Sequence, residues 1–266
     1  MPSPERAQSS LQLLLHFQRS GGSSRELCVL RDAYLLAMQL NSGLVTGGGK
    51  PTITHCVGAA SLAFHYGAPF DVMTAAMLHD AYLVGDWGRL RRGLSEENRA
   101  EVRAAIGVHA ESYVHGFALL PTRTDGIAAL ASRPEPYTET ERNVVRVKMV
   151  ELLDHLLDLG SVLFFRNTAK ARAHFVEQGE HLCRLAQRCE LPGLRDDIAE
   201  AIDFTLTAEL PPELVGLAYP GDSAPLVIPR SCRQRPELTL GRALAKALRR
   251  VVPTSQTRKD HKENSR

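Results

Sequence analysis

From about residue 10 to residue 209, apolar side chains recur three and four positions apart, and no stretch of that span alternates convincingly as a half-buried strand would. Stripes with this period are buried only by laying helix against helix, so the fold class specified is all-α. The segment after Glu26, LCVLRDAYLLAMQL, is one such helix, and TITHCVGAASLAFHYG reads as a second that closes on Gly67. Asp71 is placed to cap a third, DVMTAAMLHDAYLV. Ser95 opens a long amphipathic helix, with Glu96 and Glu97 in the first turn where the helix dipole favours acids. Thr138 and Glu141 have the spacing of a capping box, and the run they open, ERNVVRVKMVELLDHLLDLGSVLFF, is the most apolar in the chain. Residues 166–209 extend the helical body, with NTAKARAHFVEQGEHLCRLAQRC as a single helix.

The ends differ from this middle. Residues 1–9 are short of apolar side chains and read as a flexible N-terminus, ahead of one helical domain at 10–209. Residues 210–266 begin with clustered prolines and glycines and finish almost wholly polar, the pattern of a linker and a basic, largely disordered tail. Within them Leu240 to Val252 is basic and amphipathic, a pattern open to a membrane surface, an acidic partner or nucleic acid. Composition favours a solvated helix leading into the tail.

Several classes are excluded at once. An apolar fraction of 44% and a charged fraction of 23% over 266 residues are those of a soluble globular chain. Its 32 basic and 30 acidic residues leave a net charge of +2, which gives no strong nucleic-acid signal. No apolar run approaches the ~20 residues that span a bilayer. The patch at Leu11 to Leu15 is too short for a signal-peptide core. Five scattered cysteines without a CxxC pair point to reduced thiols and a cytoplasmic setting. Oligomeric state is left open.

Three elements carry groups able to do chemistry. His79 and Asp80 close the apolar stretch AAMLHD; adjacent on a helix, they point about 100° apart and share one ion only if it sits over the helix edge. Nitrogen and oxygen donors together suit Mn²⁺, Fe²⁺ or Zn²⁺, although HD alone is also a common chance dipeptide. His55 lies in a helix of small and apolar residues, where a satisfied core histidine is the competing reading. Lys148, Glu151, His155 and Asp158 form one stripe on the helix after Thr138, with Asp154 beside it. Buried carboxylates need a partner, and metal ligation and ion pairing within the stripe are equally open.

In that order, H…HD…D/E on successive helices resembles the HD superfamily of metal-dependent phosphohydrolases. The nearer likeness is to the hydrolase domain of RelA/SpoT-type guanosine tetraphosphate hydrolases, over residues 29–165. GGGKPTITHCVGAA is similar to the family's G-x-P-Y-I-x-H-P-x-x-V-A, AAMLHDA to A-A-L-L-H-D, and VRVKMVELLDHLLDL to V-K-L-A-D-K-L-x-N-L-R-D-L. The resemblance implies an HD-domain helical bundle with extra C-terminal helices and one divalent metal ion. Mn²⁺ is the first choice, with Fe, Zn, Co or Ni as alternatives. His55, His79 and Asp80 fall on family ligands, and Glu151 on the last, which the family supplies as Asp. Lys148 matches the family lysine three residues before that acid, and Asp154 is a fallback ligand one turn on.

The family's Glu-Asp pair after HD is absent; Leu83 and Val84 stand in its place, and the nearest acid is Asp86. That departure points away from guanosine tetraphosphate, toward another nucleotide or small phosphorylated metabolite, or toward a chain without turnover. In the hydrolase reading the ion activates water. Asp86, and after it Asp154, orients or deprotonates that water. Lys50, Arg89, Arg91, Arg92 and Lys148 hold the phosphate. The alternatives are a non-catalytic HD-like binding or regulatory module and an HD-type di-iron oxygenase. The oxygenase would use His109 and His115, but six residues apart on one helix they aim about 120° from alignment.

Overall fold

The computed structural model describes residues 6–46, 49–88, 93–121, 124–158 and 168–209. Among them are ten helices: α1 Ser10–Arg19, α2 Ser24–Asn41, α3 Thr52–His65, α4 Phe70–Leu78, α5 Glu96–Ile106, α6 Val108–Leu119, α7 Thr124–Ser132, α8 Glu139–Leu157, α9 Thr168–Arg188 and α10 Pro192–Thr207. There is no strand among the described residues, only one isolated antiparallel bridge between Val45 and Pro51. The chain is all-α, and none of these helices is long and apolar enough to cross a membrane.

Local chemistry sets most of the boundaries. Ser23 and Thr138 close capping boxes with Glu26 and Glu141 at the starts of α2 and α8, and Ser95 accepts from the Asn98 N–H at the start of α5. Gly67, at φ 64°, takes the chain out of α3. Two boundaries differ from expectation. Pro69, not Asp71, precedes α4, and Asp71 lies within the first turn, where its charge meets the helix dipole. The long helix expected after Ser95 is two, because Gly107 at φ 88° breaks it between α5 and α6. The apolar run after Thr138 is helical as far as Leu157; residues 159–167 lie outside the described residues. The tail at 210–266, with Leu240 to Val252, also lies outside them.

Three helices form the centre. From His55 to Ala63 every residue of α3 is buried, and α4 is buried from Val72 to Leu78. A helix apolar on all sides belongs inside other helices, and α3 packs on both α4 and α8, which also touch one another. Glycine and alanine at 58–60, 63, 75 and 76 let these backbones approach closely. Around this core α2, α5 and α6 cover one side, while the α9–α10 pair lies on α8.

The N-terminal segment, expected to be flexible, is docked where it is described. Ala7 is buried and its N–H donates to Ser61 Oγ on α3 at 2.8 Å. Cys28, Cys56, Cys183 and Cys189 are free thiols; Cys232 lies outside the described residues.

Candidate metal centre

Each central helix contributes to one cluster. His55 comes from the first turns of α3, His79 is the residue that ends α4, and Asp80 follows it; α8 supplies Lys148, Glu151, Asp154 and His155. His55, His79 and Asp154 are completely or almost completely buried. The donor atoms of His55, His79 and Asp80 lie within 4.8 Å of one another, as do those of His55, Glu151 and His155. Either group could hold a metal ion.

The hydrogen bonds decide where the imidazole protons sit. His79 Nδ1 is 2.7 Å from the Ala76 carbonyl oxygen. A carbonyl only accepts, so His79 carries its proton on Nδ1. His55 Nδ1 is 2.7 Å from Asp154 Oδ2. Burial pushes the Asp154 carboxyl up, but the hydrogen bond from His55 and then the charges of Lys50 and Arg6 outweigh it and hold the group below the usual carboxylate range. Ionised, it too only accepts, so His55 donates from Nδ1. Burial, then the charge of His155, pushes His55 down to about 4, and the ring is neutral at pH 7. The Nε2 atoms of the two rings face each other at 3.2 Å, and that of neutral His55 presents a lone pair. Asp80 Oδ2, another acceptor, lies 3.5 Å from His79 Nε2. Two imidazole nitrogens and a carboxylate oxygen thus converge, and it is an arrangement a cation satisfies.

Ring contacts fix the rest. His155 stacks on His55 at 4.0 Å between centroids, and His79 lies edge-on to both His55 and Phe117. Lys148 Nζ donates to Glu151 Oε2 at 2.7 Å, and His155 Nε2 is 3.3 Å from Glu151 Oε1. Burial raises the Glu151 pKa, but Lys148 and then His155 outweigh it and hold the group well below its ordinary value. The ion-pairing reading of the α8 stripe is thus realised by the same side chains that could ligate.

Of the residues singled out in the sequence, His55, His79 and Asp80 are brought together, and Glu151 joins His55 from the other side. Asp154 belongs to neither group, because both of its oxygens accept from cationic or imidazole donors. Lys50 points inward, its Nζ 2.8 and 2.9 Å from the two Asp154 oxygens and 2.9 Å from Asp158 Oδ2. Asp86 is exposed, its Oδ1 accepting from the Gly88 N–H, and it is in neither group. Leu83 and Val84 are exposed. Arg89, Arg91 and Arg92 lie outside the described residues. His109 is exposed and His115 half-buried, both on α6, and neither joins a convergent group among the described residues.

Two members were not assigned to the site from sequence. His155 was visible as one position of the stripe, and its spacing of four from Glu151 puts both on one face of α8. Arg6 gave no signal. No protein-family model matches the chain, and no curated protein matches its sequence.

In metal-free protein, stability is expected to peak near pH 6.5. The unfolded chain's imidazoles titrate near 6.5, and folding lowers His55 to about 4. Between those values the unfolded state binds more protons, so this group lowers stability by roughly 1–2 kcal/mol from pH 6.5 to 5. His155 is shifted the other way: burial opposes, but Glu151 and then Asp154 and Asp80 raise it. Its contribution is complete below about pH 6.5 and is lost as pH rises through its folded value. Urea unfolding of chelator-treated protein at a series of pH values checks this. Equal stability at pH 6.5 and 5 would mean that folding does not lower His55.

Proposed function

We propose that this chain is an HD-type metal-dependent phosphohydrolase acting on a nucleotide or another small phosphorylated metabolite through metal-activated water. The observation that carries the reading is the pair of buried imidazole Nε2 atoms facing each other at 3.2 Å, with Asp80 Oδ2 beside them. The order of the ligands along the chain, His55 on α3, His79–Asp80 after α4 and Glu151 on α8, supports the same assignment. His55, His79, Asp80 and Glu151 would hold one divalent ion, with His155 as a further donor. His55 has a single free nitrogen, so the two donor groups that share it describe one ion rather than two. Imidazole and carboxylate together suit Mn²⁺ first, then Fe²⁺, Zn²⁺, Co²⁺ or Ni²⁺.

When bound, such an ion supplies an acidified water and neutralises charge developing on phosphorus. The chain's own groups do the remaining work. Asp154 keeps His55 in the tautomer that presents Nε2, a different role from deprotonating the water. Lys148 holds Glu151 in place and keeps its charge at the cluster. With Lys50 turned inward onto Asp154 and Asp158, phosphate binding falls to Arg89, Arg91 and Arg92, and Asp86 is the acid assigned to the water. A second reading, a non-catalytic HD-like binding module, is favoured by one observation. Leu83 and Val84 occupy the places where the hydrolase pattern carries Glu-Asp, and both side chains face solvent.

Elemental analysis of the purified chain beside an Asp80→Ala variant tests the proposal. About one Mn, Fe, Zn, Co or Ni per chain, lost in the variant, is expected, followed by turnover of a phosphate ester with that metal. Metal without turnover across nucleotide and sugar phosphates selects the binding module, and about two irons per chain selects the oxygenase. No metal in either preparation after incubation with Mn²⁺ overturns the proposal.

A further inference from the structure

Asp154 is held from three parts of the chain. Its Oδ2 accepts from His55 Nδ1 at 2.7 Å and from Lys50 Nζ at 2.8 Å. Its Oδ1 accepts from Lys50 Nζ at 2.9 Å and from one terminal nitrogen of Arg6 at 2.6 Å, and that nitrogen also donates to the Asp154 carbonyl oxygen at 3.1 Å. The other terminal nitrogen of Arg6 pairs with Asp158 Oδ1, one turn further along α8. The guanidinium fork thus spans residues four apart on one helix with two separate nitrogens, while the single Lys50 Nζ bridges the same two carboxylates. The next residue, Ala7, fixes its register by donating to Ser61 on α3. Two cations and two carboxylates close this network, and among the described residues the ring nitrogen it engages is the one that orients His55.

We infer that Arg6 is a positioning residue of the metal centre: it locks Asp154 so that His55 stays in the Nδ1–H tautomer with Nε2 directed at the ion. The inference rests on the metal-centre reading above for its consequence, and on the hydrogen bonds alone for its mechanism. Without Arg6, Asp154 Oδ1 keeps only Lys50, the carboxylate is free to rotate about its side-chain bonds, and His55 loses the acceptor that selects its tautomer.

The test uses the full chain with Arg6→Gln and Arg6→Lys. Imidazole ¹⁵N shifts of metal-free protein report the His55 tautomer, and a Co²⁺ titration reports affinity. The wild type is expected to show a single Nδ1–H form. Arg6→Gln is expected to mix in the Nε2–H form and to weaken Co²⁺ binding roughly tenfold or more. Arg6→Lys, which keeps the charge and fewer of the bonds, is expected to fall between them, and it carries the test if the glutamine variant does not fold. A single Nδ1–H form and unchanged Co²⁺ affinity in these variants overturn the inference. If the wild type binds no Co²⁺ while the variants still mix tautomers, the positioning role stands and the metal-centre reading fails.

Discussion

Asp154→Asn is expected to lower the stability of chelator-treated protein by about 3–5 kcal/mol, because it removes one partner from a buried ionic network and leaves the others uncompensated. For a chain with a helical body of this size that corresponds to a fall in Tm of roughly 10 °C. Asparagine keeps the volume and still accepts from His55 through its one oxygen. Its amide then presents donors where Asp154 Oδ1 had met Arg6 and Lys50, so cations face a donor in a fully buried position. Asp158→Asn is the control. Its side chain is about a third exposed, so the loss is expected to stay near or below about 1 kcal/mol. Thermal melts of the two variants in parallel give the comparison. A loss for Asp154→Asn no larger than for Asp158→Asn would mean that the network carries little of the fold.

The second buried carboxylate clarifies what is special about the first. Glu111, on α6, is also buried, and it accepts from Tyr82 Oη and from two nitrogens of Arg99. Its donors and acceptors are matched inside the protein, and nothing more is needed to account for it. At His55 and His79 the matching stops at the Nδ1 side. Both rings turn Nδ1 to Asp154 and to the Ala76 carbonyl, and their Nε2 atoms meet only each other and Asp80 among the described residues. A core histidine present only for packing would have its second nitrogen answered as well.

The parts that were legible in the sequence are those encoded within a few residues. Thr138 and Glu141, three apart, announce the start of α8, and the run of small and apolar residues around His55 announces a helix buried on all sides. His79 and Asp80 are informative because two polar groups end an apolar helix, which places both at the edge where helices meet. What stayed hidden depends on reach rather than pattern. Arg6 meets a residue 148 positions away, and no local spacing encodes such a contact. His155 sat in view on the α8 stripe, yet it takes the stacking on His55, a residue 100 positions away, to separate it from an ordinary helix-surface partner of Glu151. The break between α5 and α6 was missed because the periodicity continues across Gly107, while its positive φ turns the chain. Asp154 looked like a possible ligand because it is buried beside the stripe; three donors converging on it could not be foreseen from α8 alone.

Gly58→Ala is expected to destabilise the protein by about 1–3 kcal/mol, although alanine is the better helix former by about 1 kcal/mol. Gly58 lies one turn after His55 on α3 and faces Asp154 of α8. A Cβ there would fall on Asp154 Oδ1, 2.7 Å from its Cγ and 3.1 Å from its Oδ2. A flexible surface carboxylate would swing aside at little cost. Asp154 has nowhere to go, since His55, Lys50 and Arg6 hold it from separate elements. The helices must part or the carboxylate must leave His55, and in either case the Nε2 pair loses its alignment. Metal affinity is therefore expected to fall together with stability. A double-mutant cycle isolates the cause. In an Asp154→Ala background the obstructing oxygens are gone, so the penalty of Gly58→Ala should vanish or change sign to the helix-propensity gain. A penalty of equal size in both backgrounds would place the clash elsewhere on α8 and remove Gly58 from the description of the centre.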